Sequence, residues 1–293
     1  MIMEGLFIPS VTPFEDGEIS YKKLIYNIDR WNEMDISGFL VMGSTGEFPH
    51  LNIQEKKKLI STFRKNIHNK ELIVQVGMPS LKETIELANI AQDLGADKVL
   101  IIGNFYYKNR LNKEAIESFY INAAEKIKLP VMIYNIPAFT GVNISSDIII
   151  DLSALENIIG IKDSSGNLKQ LEEIIDQRKE NFYVFSGSAQ NFYNSLKLGA
   201  DGGIFAVANI FPEIFISIFK EFRKKNFDEA ERLQNLIVPL CEIIQKRFSV
   251  SGIKAGMDYV GYSGGRCREP LLELSKDEKM ELYEIIDRIK VKF

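Results

Sequence analysis

The sequence contains few of the residues that bind metals or form disulfides. Its 293 residues include two histidines, His50 and His68, and two cysteines, Cys241 and Cys267, and neither pair has the spacing of a metal-binding or redox motif. Metal-dependent catalysis is therefore disfavoured. We expect two free thiols, which are typical of proteins in a reducing cytoplasm.

Basic clusters and long hydrophobic runs are also missing from the chain. The formal net charge of −4 argues against nucleic acid or an anionic membrane surface as the main partner. The first residues lack the pattern of an export signal, and Pro212 and Glu213 interrupt the most apolar later segment. We expect a cytoplasmic protein that acts on small molecules and does not enter a membrane.

Short apolar segments rich in β-branched residues alternate along the chain with amphipathic segments of helical period. Eight strands joined by helices favour a closed (β/α)₈ barrel, the TIM barrel of the α/β class. The absence of G-x-G-x-x-G after the first strand disfavours an open dinucleotide-binding sheet. The eight predicted strands are GLFIPSV, GFLVMG, ELIVQVG, KVLIIG, PVMIYN, IIGIKD, FYVFSG and GGIFAV.

The pattern changes from strands to helices after about residue 211. No Pro-rich or Gly-rich linker marks the change, so we predict a single domain. Residues 1–211 are predicted to form the barrel, and residues 212–293 are predicted to form helices packed on it. The first apolar helical stripe of this extension consists of Ile214, Phe215, Ile218, Phe219 and Phe222.

Lys162 ends the sixth predicted strand, an isoleucine-rich run in which a charge is unexpected. Burying an ammonium group costs several kcal/mol unless the group is paired or neutralised. Functional groups of such barrels come from the C-terminal ends of the strands, and an apolar surrounding leaves a neutral amine that can attack a carbonyl. Asp163 is a poor direct partner, because adjacent strand residues face opposite sides. The position alone also fits a lysine that snorkels into solvent.

Two further segments end strands at the same mouth of the barrel. Tyr134, in YNIPAFTG, ends the fifth strand beside Lys162 and is a candidate proton shuttle. GSTGE, residues 43–47, ends the second strand with hydroxyl and backbone N–H groups that suit a carboxylate. Taken alone, the two segments equally fit a rim tyrosine and an ordinary turn. The loops after the last two strands contain no lysine or arginine, which disfavours a phosphorylated substrate or a flavin.

Together, GSTGE, YNIPAFTG and IKDSSGN resemble the dihydrodipicolinate synthase and N-acetylneuraminate lyase superfamily of pyruvate-dependent class I aldolases. The resemblance covers essentially the whole chain. It implies that Lys162 forms a Schiff base with pyruvate and that Tyr134 transfers protons. It also implies that Ser44 and Thr45 bind the 2-oxo carboxylate, and that no metal or organic cofactor takes part.

The resemblance also implies an oligomer. Tyr106 matches a tyrosine that the family places across a dimer interface, where it connects Ser44 with Tyr134 of the neighbouring site. Tyr107 is the alternative if the register differs by one residue. Members of the family are typically homotetramers built as pairs of dimers, and we expect the same assembly here.

Differences between this sequence and the family's patterns help to distinguish which of the family's reactions the protein catalyses. Phe139 stands where dihydrodipicolinate synthases have an arginine for the carboxylate of the second substrate. Ser188, Ala189 and Gln190 lack the acidic groups with which sialate lyases bind a polyol. The segments most similar to 4-hydroxy-2-oxoglutarate aldolases are GEFPHL, KDSSGN and the tail RFSVSGIKAGMDYVGYSGGRCREPLLELS. We interpret the tail as mostly structural.

Several residues near the strand ends are candidates for the rest of the substrate site, although each also fits a turn, cap or packing role. We interpret His50 as a solvated loop histidine and do not expect Arg266 or Arg268 to reach the substrate. Besides Thr45, the candidate substrate-binding residues are Gly46, Phe139, Ser164, Ser188, Ile204 and Asn209.

The resulting prediction is a class I aldolase that cleaves a 4-hydroxy-2-oxo acid, most similar to 4-hydroxy-2-oxoglutarate, into pyruvate and an aldehyde. The alternatives on the same imine are synthesis of 4-hydroxy-tetrahydrodipicolinate, cleavage of N-acetylneuraminate, and cleavage or dehydration of a 2-keto-3-deoxy sugar acid. A barrel that binds a 2-oxo acid without catalysis is the alternative of a different class, because a fold does not guarantee activity.

Overall fold

Strands and helices alternate along the chain in the computed structural model, which describes residues 3–103 and 105–293. The strands are β1 (Gly5–Pro9), β2 (Phe14–Glu15), β3 (Glu18–Ile19), β4 (Gly38–Val41), β5 (Glu71–Gln75), β6 (Lys98–Ile102), β7 (Val131–Asn135), β8 (Ile158–Asp163), β9 (Tyr183–Ser186) and β10 (Gly202–Ile204). The helices are α1 (Tyr21–Asn32), α2 (Ile53–Asn66), α3 (Leu81–Asp93), α4 (Lys113–Lys126), α5 (Pro137–Thr140), α6 (Ser146–Leu152), α7 (Leu168–Gln177), α8 (Phe192–Leu198), α9 (Pro212–Arg223), α10 (Phe227–Ile243), α11 (Ser249–Tyr259) and α12 (Lys276–Lys292). Within the described part of the chain, none of them is both long and apolar enough to cross a lipid bilayer.

Strand β1 and strands β4 to β10 form one closed parallel barrel. Each is hydrogen-bonded to its neighbour in chain order, β10 pairs with β1, and the small hairpin of β2 and β3 lies outside the barrel. All eight predicted strand segments are barrel strands and helices connect them, so the predicted TIM barrel is confirmed. Because the strands are parallel, their C-terminal ends all lie at one mouth of the barrel.

Side chains alternate along each strand and produce two hydrophobic layers. The outward side chains, such as Ile133 and Ile161, belong to the cluster between the barrel and the helices. The inward side chains fill the barrel, where the rings of Phe7 and Phe185 meet edge to face with centroids 5.4 Å apart. Seven strands contribute buried residues to this inner cluster, and β7 contributes two: Phe7, Leu40, Ile73, Leu100, Met132, Tyr134, Phe185 and Ile204.

The C-terminal helices share the outer hydrophobic cluster with the barrel. Helix α9 begins at Pro212, next to the predicted boundary at residue 211, and packs against β1. Phe215 of α9 and Ile286 of α12 are fully buried members of the outer cluster. Between α10 and α11 the chain forms a π-helical turn, Ile244–Phe248. This turn and the start of α11 contribute to the cavity at the barrel mouth.

Candidate active site

Lys162 lies at the C-terminal end of β8 and faces the barrel interior. Its Cα partners on the neighbouring strands are Tyr134 and Phe185, both members of the inner cluster. The residue is 4% exposed. Its Nζ donates a hydrogen bond to the Tyr134 hydroxyl at 3.3 Å and lies 4.3 Å from the centroid of the tyrosine ring. The two side chains are therefore lateral neighbours, as the order of the strands predicts.

Asp163 faces away from the barrel interior, in agreement with the strand alternation. Its carboxylate accepts a hydrogen bond from Asn135 Nδ2 at 3.0 Å, and it accepts two more from Ser165 N and Oγ, both at 2.9 Å. Burial raises the pKa of the Asp163 carboxyl group, and these hydrogen bonds oppose that shift. Asp163 therefore connects the loop after β8 to the end of β7.

Ser44 and Thr45 reach the site from the loop after β4. The Ser44 hydroxyl lies 3.4 Å from the Tyr134 hydroxyl, so Ser44, Tyr134 and Lys162 form a continuous hydrogen-bonded series. Thr45 is buried in a short 3₁₀ helix, Ser44–Gly46. The carbonyl oxygen of Gly46 accepts a hydrogen bond from the Thr12 hydroxyl at 2.8 Å, which fixes the loop to the segment after β1.

A cavity of about 190 Å³ lies above Lys162 at this mouth of the barrel. In the described part of the chain its lining contains no carboxylate, and Lys162 is its one cation. The Ser188 hydroxyl is buried and has no hydrogen-bond partner among the described residues. The predicted substrate-binding residues that line this cavity are Thr45, Phe139, Ser164, Ser188 and Ile204.

Asn209 is absent from the described lining of this cavity, and its assignment to the substrate stays a prediction that this position does not support. Its side chain is fully buried and forms hydrogen bonds with backbone groups at the end of β1 and in the loop that follows. The amide oxygen accepts from Val11 N at 3.1 Å, and Nδ2 donates to the carbonyl oxygens of Pro9 at 3.0 Å and Ala206 at 2.9 Å. The bonds to Val11 and Pro9 connect segments about 200 positions apart in the chain. Gly46 is also absent from the described cavity lining and contributes through the loop backbone.

Comparison with known proteins identifies the family of this barrel. Residues 2–289 match the Dihydrodipicolinate synthetase family. The chain belongs to this family. The family consists of class I aldolases and lyases, so the predicted superfamily is confirmed, whereas the closer kinship with 4-hydroxy-2-oxoglutarate aldolases stays a prediction.

Relatives resemble the chain over most of its length. The 4-hydroxy-tetrahydrodipicolinate synthase of Methanococcus vannielii is 32% identical over 98% of this chain and 99% of its own length. An uncharacterized DapA-like lyase of Pyrococcus abyssi is 37% identical over 89% of each chain. A prophage protein of the dihydrodipicolinic acid synthase family from Escherichia coli K12, solved in complex with pyruvate, superposes with a TM-score of 0.93 at 26% identity, over 99% of both chains.

The C-terminal extension supplies one wall of the barrel-mouth cavity, and part of the tail that we interpret as mostly structural lies in this wall. The wall consists of the π-helical turn and the first turns of α11. Side chains of this wall that line the cavity are Ile244, Gln245, Ser249, Val250 and Ile253. None carries a charge, so the sequence offered no chemical signal that could place them at the site.

The cysteine and histidine side chains do not form a metal centre in residues 3–103 and 105–293, where no three His, Cys, Asp or Glu groups are arranged as ligands. Cys241 and Cys267 are free thiols. Burial raises the pKa of both, and Cys241 lines the cavity. A protonated buried thiol is a weak nucleophile, so its contribution there is packing.

A buried ion pair joins the C-terminal extension to the loop that holds Ser44 and Thr45. Lys254 Nζ lies 2.5 Å from Glu47 Oε1, with 2% and 1% of the two side chains exposed. The ammonium group also donates to the carbonyl oxygens of Thr12 at 2.7 Å and Arg266 at 2.6 Å, so all three of its protons are used. Burial lowers the pKa of Lys254, and Glu47 opposes that shift. Glu47 has a left-handed backbone, φ 56° and ψ 38°, at the end of the GSTGE loop.

The second carboxylate oxygen of Glu47 contacts the backbone of Arg268 and the side chain of His50. It accepts a hydrogen bond from Arg268 N at 2.9 Å and lies 3.2 Å from His50 Nδ1. The Arg268 guanidinium pairs with Glu55, at 2.6 and 2.9 Å, so it points to the loop and not to the substrate. Arg266 pairs with Glu273 at the surface. Both arginines therefore stay outside the cavity, whereas His50 is half-buried and is not a freely solvated loop residue.

A second cavity, of about 450 Å³, adjoins the first. It contains His50 and Lys56, a buried lysine with no carboxylate at ion-pair distance in the described part of the chain. Lys56 Nζ lies 4.1 Å from the centroid of the Phe48 ring, and burial lowers the pKa of the lysine. The residues that line both cavities are Ser44, Tyr134, Phe139, Ser249 and Val250.

Tyr106 and Tyr107 lie on the surface of this single chain. They are 73% and 71% exposed, and their rings meet edge to face with centroids 5.1 Å apart. Neither has a hydrogen bond to Ser44 or Tyr134 of its own chain. The predicted contact of Tyr106 with these residues is not made within one chain, and its formation across an interface between two copies stays a prediction.

Replacement of Lys254 by Met is expected to destabilise the fold by about 3–5 kcal/mol, because it leaves the Glu47 carboxylate buried without its cation. Chemical unfolding at neutral pH measures the effect. The double variant Lys254→Met with Glu47→Gln should recover part of the lost stability, since neither remaining group is charged.

The matched control is Lys113→Met, which removes an exposed lysine paired with Asp147 and Asp151. This change should alter stability far less, because exposed ion pairs are screened by water. An equal loss in both single variants would contradict the assignment of Lys254 as a buried, structurally required cation.

Proposed function

We propose that this protein is a class I aldolase that joins Lys162 to a 4-hydroxy-2-oxo acid as an imine and releases pyruvate and an aldehyde. The observation that carries the proposal is the buried series of Lys162, Tyr134 and Ser44 beneath an otherwise uncharged cavity. A lysine amine, a phenol and a carboxylate-binding loop are the groups that such a reaction needs. The non-catalytic alternative does not account for a phenol at hydrogen-bond distance from a buried amine.

Imine formation uses the residues at the base of the cavity. Ser44 and Thr45 bind the C1 carboxylate through hydroxyl and backbone N–H groups, which presents the C2 carbonyl to Lys162. The neutral amine attacks C2, and the resulting hydroxyl leaves as water after it takes a proton from Tyr134. The product is a protonated imine between Nζ and C2.

Bond cleavage then uses Tyr134 as the base. The phenoxide takes the proton from the C4 hydroxyl, the C3–C4 bond breaks, and its electron pair moves to the imine nitrogen to give an enamine. C4 leaves as an aldehyde. The enamine accepts a proton at C3, and water hydrolyses the imine to release pyruvate. The imine itself accepts the electrons, so the proposed reaction uses neither metal nor organic cofactor.

Among 4-hydroxy-2-oxo acids we propose 4-hydroxy-2-oxoglutarate, which yields glyoxylate. Phe139 at the cavity supports this choice over 4-hydroxy-tetrahydrodipicolinate synthesis, because it replaces the arginine with which dihydrodipicolinate synthases bind their second substrate; the C5 carboxylate of 4-hydroxy-2-oxoglutarate would be bound by neutral groups instead. Ser164 and Ser188 offer neutral hydroxyl groups to the distal half of the substrate. The second candidate is nevertheless 4-hydroxy-tetrahydrodipicolinate synthesis, which is favoured by the names of relatives that are 31% and 32% identical.

We further propose a cytoplasmic homotetramer built from two dimers, in which Tyr106 of one chain completes the proton path of its neighbour. The exposure of both Tyr106 and Tyr107 supports an interface at this surface, because large aromatic side chains are enriched in protein contacts. Tyr106 would then connect Ser44 with Tyr134 in the adjacent site.

Incubation with pyruvate and sodium borohydride is expected to add a reduced pyruvyl group to Lys162, because borohydride traps the imine as a stable amine. Mass spectrometry of the digested protein locates the adduct. Lys162→Ala is the control and should remain unlabelled. No adduct on the wild-type protein, under conditions that label a known class I aldolase, would refute the imine mechanism.

A substrate panel is expected to distinguish the reactions of the family. Release of pyruvate from 4-hydroxy-2-oxoglutarate should exceed release from 2-keto-3-deoxygluconate or N-acetylneuraminate, and pyruvate with aspartate semialdehyde should give little product because Phe139 replaces the cationic group. Coupled detection of pyruvate measures the first three reactions, and consumption of pyruvate measures the fourth. A higher kcat/KM for aspartate semialdehyde would favour the second candidate.

Mixing two inactive variants is expected to restore activity if Tyr106 acts across a dimer interface. Lys162→Ala lacks the amine and Tyr106→Phe lacks the bridging hydroxyl, but a mixed dimer contains one site with both groups. Random reassembly should return about a quarter of the wild-type activity, because half of the dimers are mixed and each has one complete site. Tyr107→Phe is the matched control and should remain active alone. No recovery in dimers shown to have exchanged subunits would exclude the role in trans.

A further inference from the structure

Ser249 has a backbone conformation that a residue with a side chain rarely adopts. Its φ is 46° and its ψ is −138°, immediately after the π-helical turn. Glu47 also has a positive φ, but its ψ of 38° lies in the ordinary left-handed region. The ψ of Ser249 lies far outside that region, where glycine is the residue that avoids the steric cost. Strained backbone conformations are common at functional sites, and π-helical turns are common there too.

The side chain of Ser249 occupies a position that fits a functional role. It lines both cavities at their junction, together with Tyr134 and Phe139. Ser249 is an exposed residue, and no other residue in 3–103 and 105–293 forms a hydrogen bond with its hydroxyl, so this side chain adds no contact that would offset the backbone strain. Glycine would adopt this backbone conformation without the steric cost, but it would lack the hydroxyl group.

The part of the substrate that meets Ser249 follows from the proposed function, on which this inference rests. C1 is bound by Ser44 and Thr45 and C2 is bonded to Lys162, so C4 and C5 extend into the rest of the cavity. The wall there is mainly apolar, with Phe139 and Val250 beside the serine. Beyond the groups assigned to C1 and C2, the described polar side chains that line the cavity are Ser164, Ser188, Gln190, Gln245 and Ser249, and a polar substituent at C5 would bond to one of them.

We propose that Ser249 is a specificity-determining residue whose hydroxyl donates a hydrogen bond to an oxygen on C5 of the substrate. That oxygen belongs to a carboxylate in 4-hydroxy-2-oxoglutarate and to a hydroxyl in a 2-keto-3-deoxy sugar acid. The strained backbone at the end of the π-helical turn holds the hydroxyl at the cavity junction.

Two variants separate the hydroxyl from the backbone strain. Ser249→Ala removes the hydroxyl and keeps a Cβ in the strained conformation, whereas Ser249→Gly removes the hydroxyl and relieves the strain. Both should lower kcat/KM about tenfold for the better cleaved of 4-hydroxy-2-oxoglutarate and 2-keto-3-deoxygluconate, as loss of one hydrogen bond predicts. Ser249→Gly should raise Tm, and Ser249→Ala should leave it nearly unchanged.

A substrate without the C5 oxygen provides the decisive comparison. 4-Hydroxy-2-oxopentanoate carries a methyl group at C5, and the wild-type protein and both variants should cleave it with equal kcat/KM. Borohydride trapping of pyruvate on Lys162 should also be equal in all three proteins. The role of Ser249 would be overturned if either variant kept the wild-type kcat/KM for the oxygenated substrate. It would also be overturned if kcat/KM fell equally for both substrates. Failure of the wild-type protein to trap pyruvate would instead refute the proposed function, and with it the inference built upon that function.

Discussion

The parallel pairing of β7 with β8 is the constraint on which the candidate site depends. It makes Tyr134 and Lys162 Cα partners, and the two-residue period of a strand turns both side chains inward while Asp163 faces outward. A shift by one residue would bring the carboxylate inside and move the amine outside. The barrel is closed, so neither strand has a free edge along which the pairing can slide. The distance of 3.3 Å between amine and phenol is therefore a consequence of backbone register.

A second constraint fixes the other half of the site. The buried pair of Glu47 and Lys254 joins the loop after β4 to α11, which lies more than 200 residues further along the chain. A buried ion pair adds little net stability, because loss of hydration offsets the attraction between its charges. It does select one arrangement, since Lys254 finds acceptors for all three protons in a single geometry. The helical extension thus holds the loop that contains Ser44 and Thr45 and also supplies an uncharged wall of the cavity that contains Lys162.

The sequence predictions succeeded for features that depend on residues close together in the chain, and they failed for features that depend on distant partners. Each barrel strand is a short apolar run whose neighbours determine its burial, so all eight were found. Lys162 and Tyr134 were found because a polar group at the end of such a run is chemically conspicuous. Lys254 carries the same signal, a lysine in an apolar helix, but it was not recognised because its partner lies in a distant loop. Asn209 was assigned to the substrate because nothing local shows that its amide is already bonded to Pro9, Val11 and Ala206.

The sequence by itself determined the barrel, the order of its strands and the strand ends that carry the amine, the phenol and the hydroxyl loop. These features depend on periods of two and of about 3.6 residues, which are properties of neighbouring side chains. The tertiary structure alone decided which residues close the cavity, which polar groups are already used, and where the backbone is strained. Ser249, Gln245 and Asn209 show the reason: whether a polar side chain is free to meet a ligand depends on partners that packing brings from distant parts of the chain, and no local pattern records them.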